Sequence, residues 1–201
     1  VVISSAAVNS WNPDTNGNIN VITRSGSTVY IGGGFSTINA GAASRVRMAA
    51  VDDINGTDTG WNPNITGNHV ATISVSGTNV FVGGLFSVIG GQTRANLASV
   101  DSSSALASGW NPSGGGPVNV ISLTGSTAYV GGNFATAHGA TRNRIAALNA
   151  YTGELTSWNP NANSSVSSLL LANNVLYVGG MFNTIGGQVR NSIAALDLTT
   201  G

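Results

Sequence analysis

The sequence predicts an all-β protein, a β-propeller of four repeats of about 49 residues, each a four-stranded antiparallel blade. Three observations carry that prediction. The block "YIGGGF" (30–35) returns as "FVGGLF" (81–86), "YVGGNF" (129–134) and "YVGGMF" (177–182), with starts 51, 48 and 48 residues apart. "RVRMAAVD" (45–52) returns at 94–101, 142–149 and 190–197. Trp-Asn-Pro occurs at 11–13, 61–63, 110–112 and 158–160, and these blocks hold all four tryptophans and four of the five prolines. The landmarks place blades at 11–63, 61–112, 110–160 and 158–201, within a single domain spanning 1–201.

The third repeat shows each element in order. "VNVISL" (118–123) alternates apolar and polar residues, as a half-buried strand does. "TGS" (124–126) is a tight turn, matched by "SGS" (25–27) and "SGT" (76–78). "TAYVGG" is more continuously apolar and predicts a central strand; its paired glycines mark a bulge or a close backbone approach. After the loop "ATAHGAT" comes a third strand, "RIAALNA", and "TGE" (152–154) turns the chain into a fourth, "LTSWNP". No stretch keeps a helical period. The glycine pairs therefore lack the following helix that a phosphate-binding loop requires.

The repeated columns have physical roles in such a blade. Asp52, Asp101, Asn149 and Asp197 precede the turn between strands three and four, where an Asx side chain accepts from backbone N–H groups two residues on. Arg45, Arg94, Arg142 and Arg190 would either ring a channel and bind an anion or pair with a carboxylate, carbonyl or ring inside each blade. Recurrence at one position in every repeat favours the pairing. Trp11, Trp61, Trp110 and Trp158 would either form an aromatic binding platform or pack between neighbouring blades. Packing is favoured, because the following proline cannot donate to a ladder and so fits the end of an outer edge strand.

Composition narrows the function. Only 7% of residues are charged, seven Arg against six Asp and one Glu, with net charge zero. Average soluble domains carry about 25%. Without a basic footprint the chain is not expected to bind nucleic acid, and no apolar run reaches the length of a membrane span. Cysteine is absent, which removes disulfides, thiolate metal sites and cysteine nucleophiles. His69 and His138 lie in different repeats without zinc spacing, Glu154 stands alone, and no Ser sits in a nucleophile elbow. The expectation is a non-enzymatic chain with no cofactor and no metal. Solubility resting on Asn, Ser, Thr and Gly fits a secreted or cell-surface protein. Asn55, Asn64 and Asn163 begin glycosylation sequons, which such a composition also produces by chance.

The ordered series "YVGGMFNTIGGQVRNSIAALDLTTG" and "ELTSWNP" resembles the delta-sixty-type repeats of bacterial surface and secreted β-propellers, and is similar to the propeller of fungal cortical marker proteins. The resemblance spans essentially the whole chain. It implies a propeller of short antiparallel blades in an extracellular or envelope protein, commonly fused to adhesive or anchoring modules, and brings no catalytic motif. The first repeat departs from the pattern: "FSTINAGAASR" is two residues longer than its counterparts, and Arg24 stands where Val75, Leu123 and Leu171 are apolar. Both ends fall mid-pattern, so the chain reads as a segment of a larger propeller or repeat array. The other reading is ring closure by an N-terminal strand beside residues 193–198.

Residues that break the repeat are free for function. The connections from strand four to strand one and from strand two to strand three are long and varied, and in a propeller they open on one face. Asp14, Asn16, Asn39, His69 and His138 on that face are the expected contacts to a protein or glycan ligand. The function expected is a surface binding or adhesion module. The alternative is a structural unit of an envelope or extracellular fibrous assembly, through self-association or fusion to further modules, with an enzyme scaffold as the least favoured reading.

Overall fold

The computed structural model describes residues 10–201. The N-terminal strand expected beside residues 193–198 falls on residues 1–9 and lies outside the described residues. The rest is all-β and antiparallel, without a helix among the described residues, so none is long and apolar enough to cross a membrane.

Each repeat builds one main sheet, with a two-stranded ribbon that is a separate sheet in the first, third and fourth repeats and continuous with the main sheet in the second. The first contains β1 (Ile19–Ser25), β2 (Thr28–Gly33), a small ribbon of β3 (Thr37–Ile38) and β4 (Ala43–Ser44), and β5 (Met48–Asp52). The second contains β6 (Thr66–Ser76), β7 (Asn79–Ile89), β8 (Gln92–Thr93) and β9 (Leu97–Asp101). The third runs β10 (Val118–Thr124), β11 (Thr127–Gly132), the ribbon β12 (Thr136–Ala137) and β13 (Ala140–Thr141), and β14 (Ile145–Asn149). The fourth runs β15 (Val166–Ala172), β16 (Val175–Gly180), the ribbon β17 (Thr184–Ile185) and β18 (Gln188–Val189), and β19 (Ile193–Asp197). In every sheet the second strand is central, as its apolar run predicts.

The expected fourth strand is not a strand. It contributes one isolated bridge in each of three repeats, Val51 to Asp58, Val100 to Ala107 and Leu148 to Leu155. One further rung follows, with Thr59, Ser108 and Thr156 N–H donating to Ala50, Ser99 and Ala147. The chain then leaves for the next sheet, because Trp-Asn-Pro is engaged there. The proline carbonyls of Pro13, Pro63, Pro112 and Pro160 accept from Asn39, Gly90, His138 and Gly186, the ribbon tips of the sheet that follows each block. These tip residues have φ between 46° and 61°, the left-handed turn geometry that Gly and Asn tolerate best.

The sheets succeed one another through their first strands: β1 packs on β6, β6 on β10 and β10 on β15. No comparable packing joins β15 to β1, so among the described residues the four sheets form an open series. Each junction is a buried apolar layer. The first joins Tyr30, Met48 and Ala50 to Trp61, Val70, Ile73 and Val82.

The paired glycines serve two different contacts. A Cβ on Gly32, Gly83 or Gly131 would strike Val70, Val118 or Val166 of the next sheet, so the first glycine sets how closely sheets approach. A Cβ on Gly33, Gly84, Gly132 or Gly180 would instead strike the backbone carbonyl of Asn18, His69, Pro117 or Ser165, at or just before the start of the sheet's own first strand or, for His69, within it. Pairing between the first and second strands shifts register there in all four sheets. Both meanings of a strand glycine, close approach and bulge, are used side by side.

Candidate functional site

The loop end of the first and second sheets holds a polar cleft of ≈ 750 Å³, lined by Asn18, Asn20, Arg47, Asn68 and His69 with Gly34 and Gly67. It is assembled from backbone geometry upward. Arg47 adopts φ 67°, and Asn96, Arg144 and Ser192 share that left-handed conformation at 63°, 68° and 65°. Each lies between the ribbon and the third strand, where its N–H donates to Phe35, Phe86, Phe134 or Phe182 and its carbonyl accepts from Gly33, Gly84, Gly132 or Gly180. Three different side chains, Arg, Asn and Ser, occupy the four places of this column, so identity gave no clear signal for it; the shared property is the backbone.

At Arg47 the side chain is drawn across the junction. Nη1 donates to Gly34 O at 3.0 Å and Phe35 O at 3.2 Å, and Nε donates to Gly67 O of the second sheet at 3.3 Å. Asn20 Nδ2 also crosses, donating to Val70 O at 2.9 Å, while Asn18 Nδ2 donates to Asn20 Oδ1 at 2.8 Å. On the facing wall His69 Nδ1 lies 3.2 Å from Asn68 Oδ1. The second repeat shapes this wall: β6 and β7 run on as a hairpin of two eleven-residue strands whose register shifts at Gly67 and His69. The lining therefore presents amides, an imidazole, backbone carbonyls and one guanidinium, and no carboxylate. Such a set can hydrogen-bond hydroxyls and amides and attract an acid group. Arg144 lines a smaller cleft of ≈ 330 Å³ at the third junction, with Asn143, Asn161 and Asn163.

The five residues expected on the ligand face divide. His69 lines the main cleft. Asn16 and Asn39 are braces of the first repeat: Asn16 Oδ1 accepts from Ser36 and Thr37 N–H, and Asn39 Oδ1 accepts from Asp58 N–H while its Nδ2 donates to Gly56 O. Asp14 is exposed beside them, its N–H donating to Asn12 Oδ1. His138 is exposed at the ribbon tip of the third repeat, apart from the cleft that His69 lines. Arg47, Asn18, Asn20 and Asn68 complete the cleft and were not legible in advance. Among the described residues no three His, Cys, Asp or Glu side chains gather as a metal site.

The Arg and Trp columns hold the repeats together. Arg45 forms an ion pair with Asp58, Nε to Oδ1 at 3.1 Å and Nη2 to Oδ2 at 2.5 Å. Arg94 and Arg142 donate Nη2 to Ser108 O and Thr156 O, and each leaves its buried Nε without an acceptor. Arg190 donates to Val189 O. Each Trp donates Nε1 to the carbonyl of the Asx residue in the sheet that follows it: Trp11 to Asp52, Trp61 to Asp101, Trp110 to Asn149 and Trp158 to Asp197. The same Asx residues cap their turns, Asp101 accepting from Ser103 and Ser104 and Asp197 from Thr199 and Thr200. Those bonds hold both carboxyls below the usual Asp range.

No protein-family model and no curated protein matches the chain. Among solved structures it is similar to the computationally designed Ika4 protein, with a TM-score of 0.58 at 12% identity over 94% of this chain and 96% of that one. The computationally designed Ika8 protein aligns with a TM-score of 0.49 at 12% identity, over 91% of this chain and 59% of that one. The likeness to Ika4 spans nearly the full length of both chains and is a likeness of fold.

Proposed function

We propose that the four sheets are blades of a β-propeller-type repeat, as in the delta-sixty-type surface proteins, and that the chain is a non-enzymatic extracellular binding module. Its ligand is a glycan carrying an acid group, held at the loop end in the cleft between the first and second sheets. The observation that carries this reading is the cleft lining: three asparagines, one histidine and Arg47, with no carboxylate to repel an anion. Arg47 serves as the charge partner, Asn68 and His69 as donors and acceptors to hydroxyls, and Asp14 and His138 as outlying contacts on neighbouring loops. The smaller cleft at Arg144 repeats the same chemistry one junction further on.

The test is an array of acidic and neutral glycans probed with the intact chain, beside Asn68→Ala and His69→Ala. Asn68 is exposed and His69 half-buried, so neither change touches the apolar layer. Retention of acidic glycans, lost in both variants at unchanged melting temperature, supports the reading. A silent array, or binding unaffected by both variants, sinks it.

A further inference from the structure

We infer, on the basis of that acidic-glycan reading, that the chain carries two uronate sites, in the clefts at its first and third junctions, and that its ligand is a linear polyuronate bridging them. The four repeats differ at one shared backbone position. The left-handed column between ribbon and third strand reads Arg47, Asn96, Arg144 and Ser192, with φ of 67°, 63°, 68° and 65°.

The two arginines of this column are held alike. Arg47 Nη1 donates to Phe35 O at 3.2 Å, and Arg144 Nη1 donates to Phe134 O, the same place in its own repeat, at 3.0 Å. Both side chains are half-buried, and in neither does Nη2 meet an acceptor among the described residues. Other arginines are already engaged. Arg24 and Arg45 are neutralised by Asp53 and Asp58, and Arg94 and Arg142 donate Nη2 to carbonyls of their own repeats.

The second junction shows the closed alternative. Asn96 Nδ2 donates to Gly114 O at 2.9 Å, and its Oδ1 accepts from Phe86 N–H at 3.2 Å. Gly114 N–H donates in turn to Ala95 O, which fastens the loop after Trp110 over this place. The column therefore offers a guanidinium at the first and third junctions and an amide bonded on both atoms between them.

Each open cleft matches one sugar acid. The first, of ≈ 750 Å³, sets Asn18, Asn20, Asn68 and His69 around Arg47. The other, of ≈ 330 Å³, sets Asn143, Asn161, Asn163 and Thr184 around Arg144. There Asn143 Nδ2 donates to Asn161 Oδ1, which leaves Asn143 Oδ1 and Asn161 Nδ2 to a ligand. One guanidinium balances one carboxylate, while amides serve the ring hydroxyls beside it. This fits a uronate, with its single acid and several hydroxyls, better than a sulfate-dense glycan whose crowded charges would go unmatched.

Both clefts lie at the loop end, since the column occupies one position in every sheet. The first strands follow in series, β1, β6, β10 and β15. The clefts thus stand two sheet spacings apart, about 20 Å at about 10 Å per packed sheet. A single uronate fills one cleft. A chain spanning both enters the second intramolecularly, and gains affinity without any new kind of contact.

The test is calorimetric titration of the intact chain with galacturonic acid and with oligogalacturonates of increasing length, beside Arg47→Asn and Arg144→Ser. Asn96 and Ser192 hold the same left-handed backbone, so both variants keep the wild-type melting temperature. The expected result is two galacturonates per chain, one long oligomer per chain, and affinity about a hundredfold tighter once the oligomer spans both clefts. Each variant should bind one galacturonate and lose the gain with length. One galacturonate per wild-type chain, no gain with length, a gain that survives either variant, or no binding of these probes overturns the inference. The acidic-glycan reading of the first cleft falls on a different result, a silent array or indifference to Asn68→Ala and His69→Ala, so the two failures are told apart.

Discussion

The indole of Trp61 meets the ring of Tyr30 edge-on, centroids 5.2 Å apart and planes at 79°, while its Nε1 donates to Asp101 O. One side chain thus touches the preceding sheet with its ring and the following sheet with its N–H. Phe81 with Trp110 and Tyr129 with Trp158 repeat the arrangement. Tryptophan is suited to it because a large apolar ring and a single donor sit on one rigid group.

Replacing Trp61 by Phe should keep much of the buried ring and remove one of the two bonds to the Asp101 carbonyl, which keeps Ala105 N–H, costing about 0.5–1.5 kcal/mol. Trp61→Ala should cost about 3–5 kcal/mol. A double-mutant cycle with Tyr30→Leu isolates the edge-on contact, expected at about 0.5–1.5 kcal/mol. Urea unfolding measures all three.

Gly131→Ala should destabilise by about 1–3 kcal/mol, because the new methyl meets Val166 of the adjoining sheet and the layer must open. Gly179→Ala meets its own sheet's Ser168 hydroxyl, which can rotate away, and should cost clearly less in the monomer. Equal thermal shifts in the two variants would contradict the assignment of the first glycine to sheet spacing.

Asp58 gives Arg45 Nε the acceptor that Arg94 and Arg142 lack, since Ala107 and Leu155 occupy its place. Asp58→Ala should therefore lose about 1.5–3 kcal/mol. Ala107→Asp should raise the melting temperature by supplying Arg94 with the same partner. Adding Arg94→Ala should abolish that gain.

Asp101 and Asp197 are held below their usual range chiefly by N–H donation, from Ser104 and Thr200 first. A carboxyl depressed in the folded state stabilises above its unfolded pKa of about 3.9, and that contribution is lost as pH falls through the folded value. Asn149 makes the same turn bonds without a charge. Asp101→Asn with Asp197→Asn should therefore flatten the fall in melting temperature at acid pH. An unchanged acid slope would place the sensitivity elsewhere.

Much of the architecture could be read from local chemistry. Asx caps, Gly turns and the apolar central strand are each decided within a few residues, so repetition made them visible four times. The missing fourth strand was less legible. "LTSWNP" has strand-like residues, and only the competing bonds from Trp158 and Pro160 to the following sheet show that it spends itself between sheets. Arg24 became intelligible for the same reason: its column faces the preceding sheet, and on the first sheet that face is open, so Arg24 reaches Asp53 where Val75 and Leu123 are packed.

The repeat, its all-β character, the turn chemistry and the columns that serve every unit follow from the order of residues, because these depend on neighbours in the chain. Tertiary structure alone decided that Arg47, Asn20 and His69 share a cleft, that Asn16 and Asn39 are braces, and that Tyr177 stands uncovered where Tyr30 and Tyr129 are buried. Those facts depend on which segments from different repeats come together, and on which sheet has a neighbour. A repeated motif is blind to both.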